Sequence, residues 1–236
     1  DVKLAIAELD YALHTLKLSG VEIGTNINGV PIGDPRFEPF FAAAAAWGAA
    51  IFVHPLKACA MDRVVGPAVL EQVLAFPCET GLAAASLITG GTLAKHPQLR
   101  IAFSHGGGAF SALAARLNHA WSIFPALRDK IAESPLDMAR RLYYDSLVYN
   151  TTLLTQQIAL FGPTQTMIGS DYPFIILEKA PQGRIDALVL GEIQAPDDAD
   201  TLGQLAVDAR HLVVAGRGHQ GGMELLIGGR HRAAIG

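Results

Sequence analysis

Two hydrophobic patterns alternate along this chain: short runs that are almost wholly apolar, and longer stretches with apolar positions three or four residues apart. Leu4, Ala7, Leu9, Ala12, Leu13 and Leu16 keep helical spacing across residues 1–19, and Gly20 is placed to end that helix. Residues 21–25 then read as a strand, followed by a loop carrying Asn26, Asn28, Gly29 and Pro31. Residues 35–47 return to helical spacing, Gly48 closes them, and residues 51–54 form a second strand. Helices near 66–76 and across 79–95 fill the next segment, which His96-Pro97 breaks. Residues 100–104 are a third strand, with a helix over 109–124 behind it. Residues 142–145 are a fourth strand, 151–161 a helix, and 166–170 a fifth strand. Alternation of this kind predicts an α/β fold with parallel strands and helices outside them. Five strands are too few to close a (β/α)8 barrel.

Three of these strands finish on a residue that can bind a metal or move a proton. Ile51-Phe52-Val53 runs into His54, with Pro55 stopping the strand. Arg100-Ile101-Ala102-Phe103 runs into Ser104 and His105, after which Gly106, Gly107 and Gly108 let the backbone turn tightly. Met167-Ile168-Gly169-Ser170 runs into Asp171, and Pro173 follows. One such ending is weak evidence; a histidine capping a glycine turn explains His105 equally well. Three are stronger, because parallel strands deliver their ends to one face, where His54, His105 and Asp171 can converge. A histidine and a carboxylate as ligands, with a second histidine beside them, suit a divalent metal such as zinc. Such an ion makes hydroxide available at neutral pH, and the second histidine can carry the proton. Arg116 lies eleven residues after His105 on the following helix. Its spacing favours a solvated charge over a guanidinium that recognises a carboxylate.

Composition narrows the picture. The chain has 236 residues, half of them hydrophobic and 17% charged, enough for one large core. Its net charge of −4 gives no electrostatic footprint for nucleic acid. No apolar run reaches the roughly 20 residues that span a bilayer, so no membrane association is expected. Cys59 and Cys78 make neither a disulfide framework nor a CxxC motif, and no basic-then-apolar leader opens the chain. Reduced thiols in a cytoplasmic protein are the expectation. Beyond residue 186 the texture changes, with an acidic run at 197–200, a short apolar run at 212–214 and many glycines. Residues 187–236 are therefore expected to be a weakly ordered, divergent tail, with His211, His219 and His231 on its surface and residues 1–186 as the folded domain.

VEIGTNING at 21–29, FVHP at 52–55, FPCETGLAAASLITGG at 76–91, HPQLRIAFSHGGGAF at 96–110 and MIGSDYPF at 167–174 form an ordered set. In order and spacing that set resembles the amidohydrolase superfamily, specifically its branch of metal-dependent decarboxylases. The resemblance implies a (β/α)8 TIM-barrel fold with Zn²⁺, or another divalent metal, at the C-terminal ends of the strands. It implies that His54 and Asp171 are metal ligands and that His105 activates metal-bound water. Arg116 would be lent to a neighbouring subunit's site, which implies a homodimer. The implied reaction is non-oxidative loss of CO₂ from a small unsaturated or aromatic carboxylic acid. A hydrolase or hydratase of the same superfamily, and an inactive remnant that pairs with another polypeptide, stay open as alternatives. The family's His-x-His pair from its first strand is absent, so strands four to eight of the barrel are expected, in a fragment or truncated product. Leu56 and Phe124 stand where one decarboxylase of this branch carries tryptophan and a second intersubunit arginine, and the family's asparagine-containing final helix is not found after residue 186.

Overall fold

The computed structural model describes residues 1–190. Helix α1 (Val2–Asp10) begins at Asp1, whose carboxylate accepts the N–H groups of Lys3 and Leu4 at 2.8 and 3.2 Å. It runs on through a π-helical turn at Tyr11–Thr15 and buries Leu9 and Ala12. Gly20 does not end this helix. The helix is already over at Lys17, where φ is 58°, and Gly20 opens strand β1 (Gly20–Ile23). A Cβ at Gly20 would lie 1.9 Å from the Ala50 carbonyl oxygen, so glycine is there to let two strands approach.

The loop after β1 folds into a small antiparallel hairpin of β2 (Asn26–Ile27) and β3 (Val30–Pro31). A 3₁₀ turn capped by Asp34 leads into α2 (Glu38–Ala46), and β4 (Ala50–Val53) follows. The expected helix over 79–95 is two helices, α3 (Phe76–Thr89) and α4 (Thr92–Lys95). They part at Gly90-Gly91, where a Cβ on Gly90 would lie 2.1 Å from the Gly33 carbonyl oxygen. Then come β5 (Arg100–Phe103), α5 (Phe110–Ile123), α6 (Pro125–Arg128), α7 (Pro135–Ala139), β6 (Tyr143–Asp145) and α8 (Thr151–Phe161). Strand β7 (Thr166–Met167) is shorter than its apolar run, and α9 (Pro181–Leu190) closes the described part.

Strands β1, β4, β5, β6 and β7 lie side by side in that order, each parallel to its neighbour. Phe41, Ile51, Phe103, Phe110, Tyr144 and Phe161 are fully buried between sheet and helices. Each such side chain contributes roughly 1.5–3 kcal/mol of burial energy. Tyr144 and Phe161 stack with ring centroids 4.1 Å apart, and the Tyr144 hydroxyl donates to the Ala139 carbonyl at 2.9 Å. This joins β6, α7 and α8. Helix α9 runs through position 186, while the readings made for residues 197–200, 212–214, His211, His219 and His231 lie outside the described residues. Cys59 and Cys78 are free and exposed. No helix among the described residues is long and apolar enough to cross a membrane.

Candidate metal centre

Strand register places the site. Ile23 pairs with Val53, Val53 with Phe103, Phe103 with Tyr144, and Tyr144 with Thr166. The residues just past this line therefore share one rim. His54 is the first residue past Val53, and its N–H donates to the Ile23 carbonyl at 3.0 Å. Ser104 repeats the pattern on Val53 at 3.1 Å, and His105 follows it. Asp171 reaches the same rim from beyond β7. His105 and Asp171 both hold left-handed backbone, with φ of 56° and 57°. Non-glycine residues keep that conformation only where their surroundings enforce it, and such sites tend to be functional.

His54, His105 and Asp171 each offer a ligand atom, and those atoms lie within 4.8 Å of one another. His54 Nε2 is 3.5 Å from Asp171 Oδ1. A tetrahedral zinc with bonds of ~2.0 Å has edges of roughly 3.3 Å, so this pair is already at ligand spacing. The His54 and His105 rings are 5.1 Å apart and tilted by 59°. Phe174 stacks on His54 at 6.0 Å and 7°, which fixes the plane of the imidazole. Two nitrogens and a carboxylate oxygen at this spacing fit a divalent cation, and the three residues can hold one.

Two carboxylates behind the rim escaped the sequence reading. Glu22, in the middle of β1, brings Oε1 to 3.9 Å from His54 Nδ1, on the ring edge away from Asp171. Burial pushes its carboxyl up, and the His54 charge pulls it partly back. An acidic residue between Val21 and Ile23 in an apolar strand was the available signal. Asp145 is the last residue of β6 and lies level with His54, which follows β4, so the strand-end pattern that found three residues should have found a fourth. Its carboxyl is pushed up to about 6 by burial, against the pull of the Gly106, Leu147 and His105 N–H groups and the His54 charge.

The two histidines are driven apart. Burial disfavours charge on His54, but the Asp171 hydrogen bond and the charges of Glu22, Asp171 and Asp145 outweigh it, and the net shift is upward. His105 is pushed down to about 4, by burial first and then by the His54 charge, with Asp171 opposing. At neutral pH His105 is therefore an uncharged base.

The rim opens into a cavity of about 400 Å³. Phe76, Val148, Leu153 and Leu160 give it apolar walls, while Gln72, Ser111 and Gln156 supply neutral hydrogen-bonding groups. Tyr149 lines it as well and donates its hydroxyl to the Ile176 carbonyl at 3.0 Å. Burial, and then the charges of Asp171, Asp145 and Glu178, hold that phenol up at about 12. Arg116 is exposed on α5 and does not line this cavity.

A parallel α/β sheet that gathers two histidines and an aspartate at its strand ends, under an apolar cavity, defines a strand-end metal-site protein of the barrel class. The chain belongs to the amidohydrolase family, whose sequence profile matches residues 1–204. It is similar to the 2-amino-3-carboxymuconate-6-semialdehyde decarboxylase of Dictyostelium discoideum, at 33% identity over 186 residues, covering 78% of this chain and 51% of that protein. Among solved structures it is similar to the IDCase of Metarhizium anisopliae, with a TM-score of 0.72 and 26% identity over 86% of this chain and 58% of that one. A 5-carboxyvanillate decarboxylase from Novosphingobium aromaticivorans, solved with manganese and a substituted nitrobenzoic acid, superposes with a TM-score of 0.71. That pair shares 21% identity over 89% of this chain and 60% of the other, a likeness of fold alone. The fold is thus the (β/α)8 TIM-barrel type of metal-dependent hydrolases, and the described residues supply five parallel strands of it. The chain spans about half the length of the curated relatives it matches.

Proposed function

We propose that this chain carries the catalytic rim of a metal-dependent, non-oxidative decarboxylase acting on a small unsaturated or aromatic carboxylic acid. The observation that carries the reading is the meeting of His54, His105 and Asp171, with ligand atoms within 4.8 Å, at the base of an apolar cavity. His54 and Asp171 are the metal ligands, and His105 is the proton carrier. A divalent cation, zinc or manganese, supplies positive charge that orients the substrate carboxylate and offsets negative charge as CO₂ departs. The apolar walls hold the substrate's planar body and keep water from it. His105 takes a proton as the acid binds and hands it to the carbon that CO₂ leaves, so that R–COO⁻ and one proton give R–H and CO₂. Its lowered pKa makes the protonated ring a ready donor, which suits the delivering half of this exchange.

Arg116, exposed on α5, recognises the substrate carboxylate of a second copy in a homodimer. The exposed apolar side chains of Leu113, Ile123 and Phe124 on and just after the same helix support pairing there. Two free, exposed cysteines fit the reducing cytoplasm. The test is product analysis with the metal-loaded protein and carboxyl-¹³C-labelled hydroxybenzoic and aminomuconic acids. Release of ¹³CO₂ that depends on His105 supports the proposal. Addition of water or hydrolysis of a lactone without ¹³CO₂ overturns it in favour of a hydratase or hydrolase.

A further inference from the structure

Among the described residues Asp145 is the only charged side chain that is fully buried, and the chemistry above does not use it. Its Oδ1 accepts the Gly106 N–H at 2.7 Å and the Leu147 N–H at 3.0 Å. The first of these bonds holds the turn that aims His105. On its other side the carboxyl lies flush against Gly169, two residues before Asp171. A Cβ at Gly169 would lie 2.7 Å from Asp145 Cβ and 2.8 Å from both its Cγ and Oδ2. The assembly is braced from behind: Gln157 Nε2 donates to the Asp145 carbonyl at 2.9 Å. Gln157 Oε1 packs so close to Gly106 that a Cβ there would lie 2.5 Å from it. A single carboxylate is therefore wedged between the two segments whose left-handed residues supply His105 and Asp171.

We propose that Asp145 is a positioning residue: wedged between the 105–108 turn and the 169–171 segment, it sets the distance from His105 to Asp171 and so the geometry of the metal centre. The proposal rests on the reading of His54, His105 and Asp171 as that centre. It explains why both flanking positions are glycine, since a side chain at 106 or 169 would dislodge the bracing amide or the carboxyl itself.

The experiment uses Co²⁺ as the probe, because its visible absorption reports coordination geometry and its titration gives an affinity. Asp145→Asn keeps the size of the side chain and removes its charge. Gly169→Ala keeps the Asp145 carboxylate and its charge but pushes it out of its place, at a backbone conformation that alanine tolerates. In both variants Co²⁺ binding should weaken about 10- to 100-fold, the range for partners that orient metal ligands, and the absorption bands should shift. Leu9→Ala, a buried site in α1 remote from the rim, is the control for lost stability and should leave Co²⁺ affinity and spectrum unchanged. A folded Asp145→Asn with the parent's affinity and spectrum overturns the proposal, as does a Leu9→Ala loss equal to that of Asp145→Asn. Should Asp145→Asn not fold, Gly169→Ala decides by the same criteria. If the parent protein binds no Co²⁺, or His54→Ala binds it unchanged, the metal-centre reading itself fails and the proposal falls with it.

Discussion

Gly108→Ala is expected to cost the fold more than Gly106→Ala, and both more than Gly48→Ala. All three glycines have positive φ, so the comparison separates backbone strain from lack of room. Gly48, at φ 65°, has nothing within 4 Å of its missing Cβ. Alanine there meets only left-handed strain of roughly 1 kcal/mol. Gly106, at φ 60° and ψ 26°, carries the same strain. Its Cβ would also lie 2.4 Å from Val148 Cγ1 and 2.5 Å from Gln157 Oε1. Those are ends of side chains and can move, but moving Gln157 breaks its bond to the Asp145 carbonyl, worth ~1 kcal/mol. The total is about 2–3 kcal/mol. Gly108, at φ 57° and ψ −136°, lies outside even the left-handed helical region. Alanine there adds roughly 1–3 kcal/mol of conformational strain. Its Cβ would lie 2.0 Å from the Pro77 carbonyl oxygen, which belongs to the backbone of α3 and accepts the Ala109 N–H at 3.0 Å. Relief requires α3 and α5 to separate, so about 4 kcal/mol or more is expected. Urea unfolding measures the series, and thermal midpoints should fall by roughly 2–4 °C per kcal/mol for a chain of this size. A Gly108→Ala variant within about 1 kcal/mol of Gly48→Ala would refute the packing of α3 against the His105 turn.

The remaining predictions concern the rim. Metal binding needs a neutral His54, whose pKa lies above its ordinary 6.5, so metal affinity should keep rising with pH above 6.5, measured by competition with a chelator at several pH values. A pH-independent affinity there would contradict His54 as a ligand. Replacing Glu22 by Gln removes the carboxylate behind His54 Nδ1. Because the gap is 3.9 Å, the loss of metal affinity should fall near the low end, about 10-fold, by the same titration. His105→Asn should lower the rate of CO₂ release by about 10²- to 10⁴-fold while leaving metal bound. The same variant has a signature in stability. Folded His105 titrates at about 4, below the ordinary 6.5, so its contribution is whole above 6.5 and is lost as pH falls towards 4. Metal-free His105→Asn should therefore gain on the parent over that window, by up to roughly 3 kcal/mol in urea unfolding.

Much of this was legible in the residues, for reasons the structure makes plain. The apolar runs at 51–53 and 101–103 are buried apart from half-buried Phe52, so hydrophobicity alone marks them, and their parallel register carries His54 and His105 to one rim. Gly20 misled because a glycine after a helix reads as a cap, whereas this one answers to the Ala50 carbonyl thirty residues away. The split of α3 from α4 was hidden for the same reason, since Gly90 is shaped by Gly33. Strand β7 is shorter than its apolar run because residues past Met167 turn to bring Asp171 to the rim. Glu22 and Asp145 were passed over because second-layer carboxylates show their role only through what they face. Asp145 nevertheless stood at a strand end in plain sight. Arg116 sits exposed on its helix, and spacing within one chain says nothing about what a second copy would bring to it.

His54, His105 and Asp171 can together hold a divalent ion, and the proposed chemistry depends on it. Elemental analysis of the purified chain, after loading with zinc or manganese and exhaustive dialysis, tests it most directly. One ion per chain is expected in the parent protein, and none in His54→Ala or Asp171→Ala variants that keep the parent's circular dichroism spectrum. A parent chain that retains no ion, or variants that retain it fully, would show that these three residues do not form a metal centre.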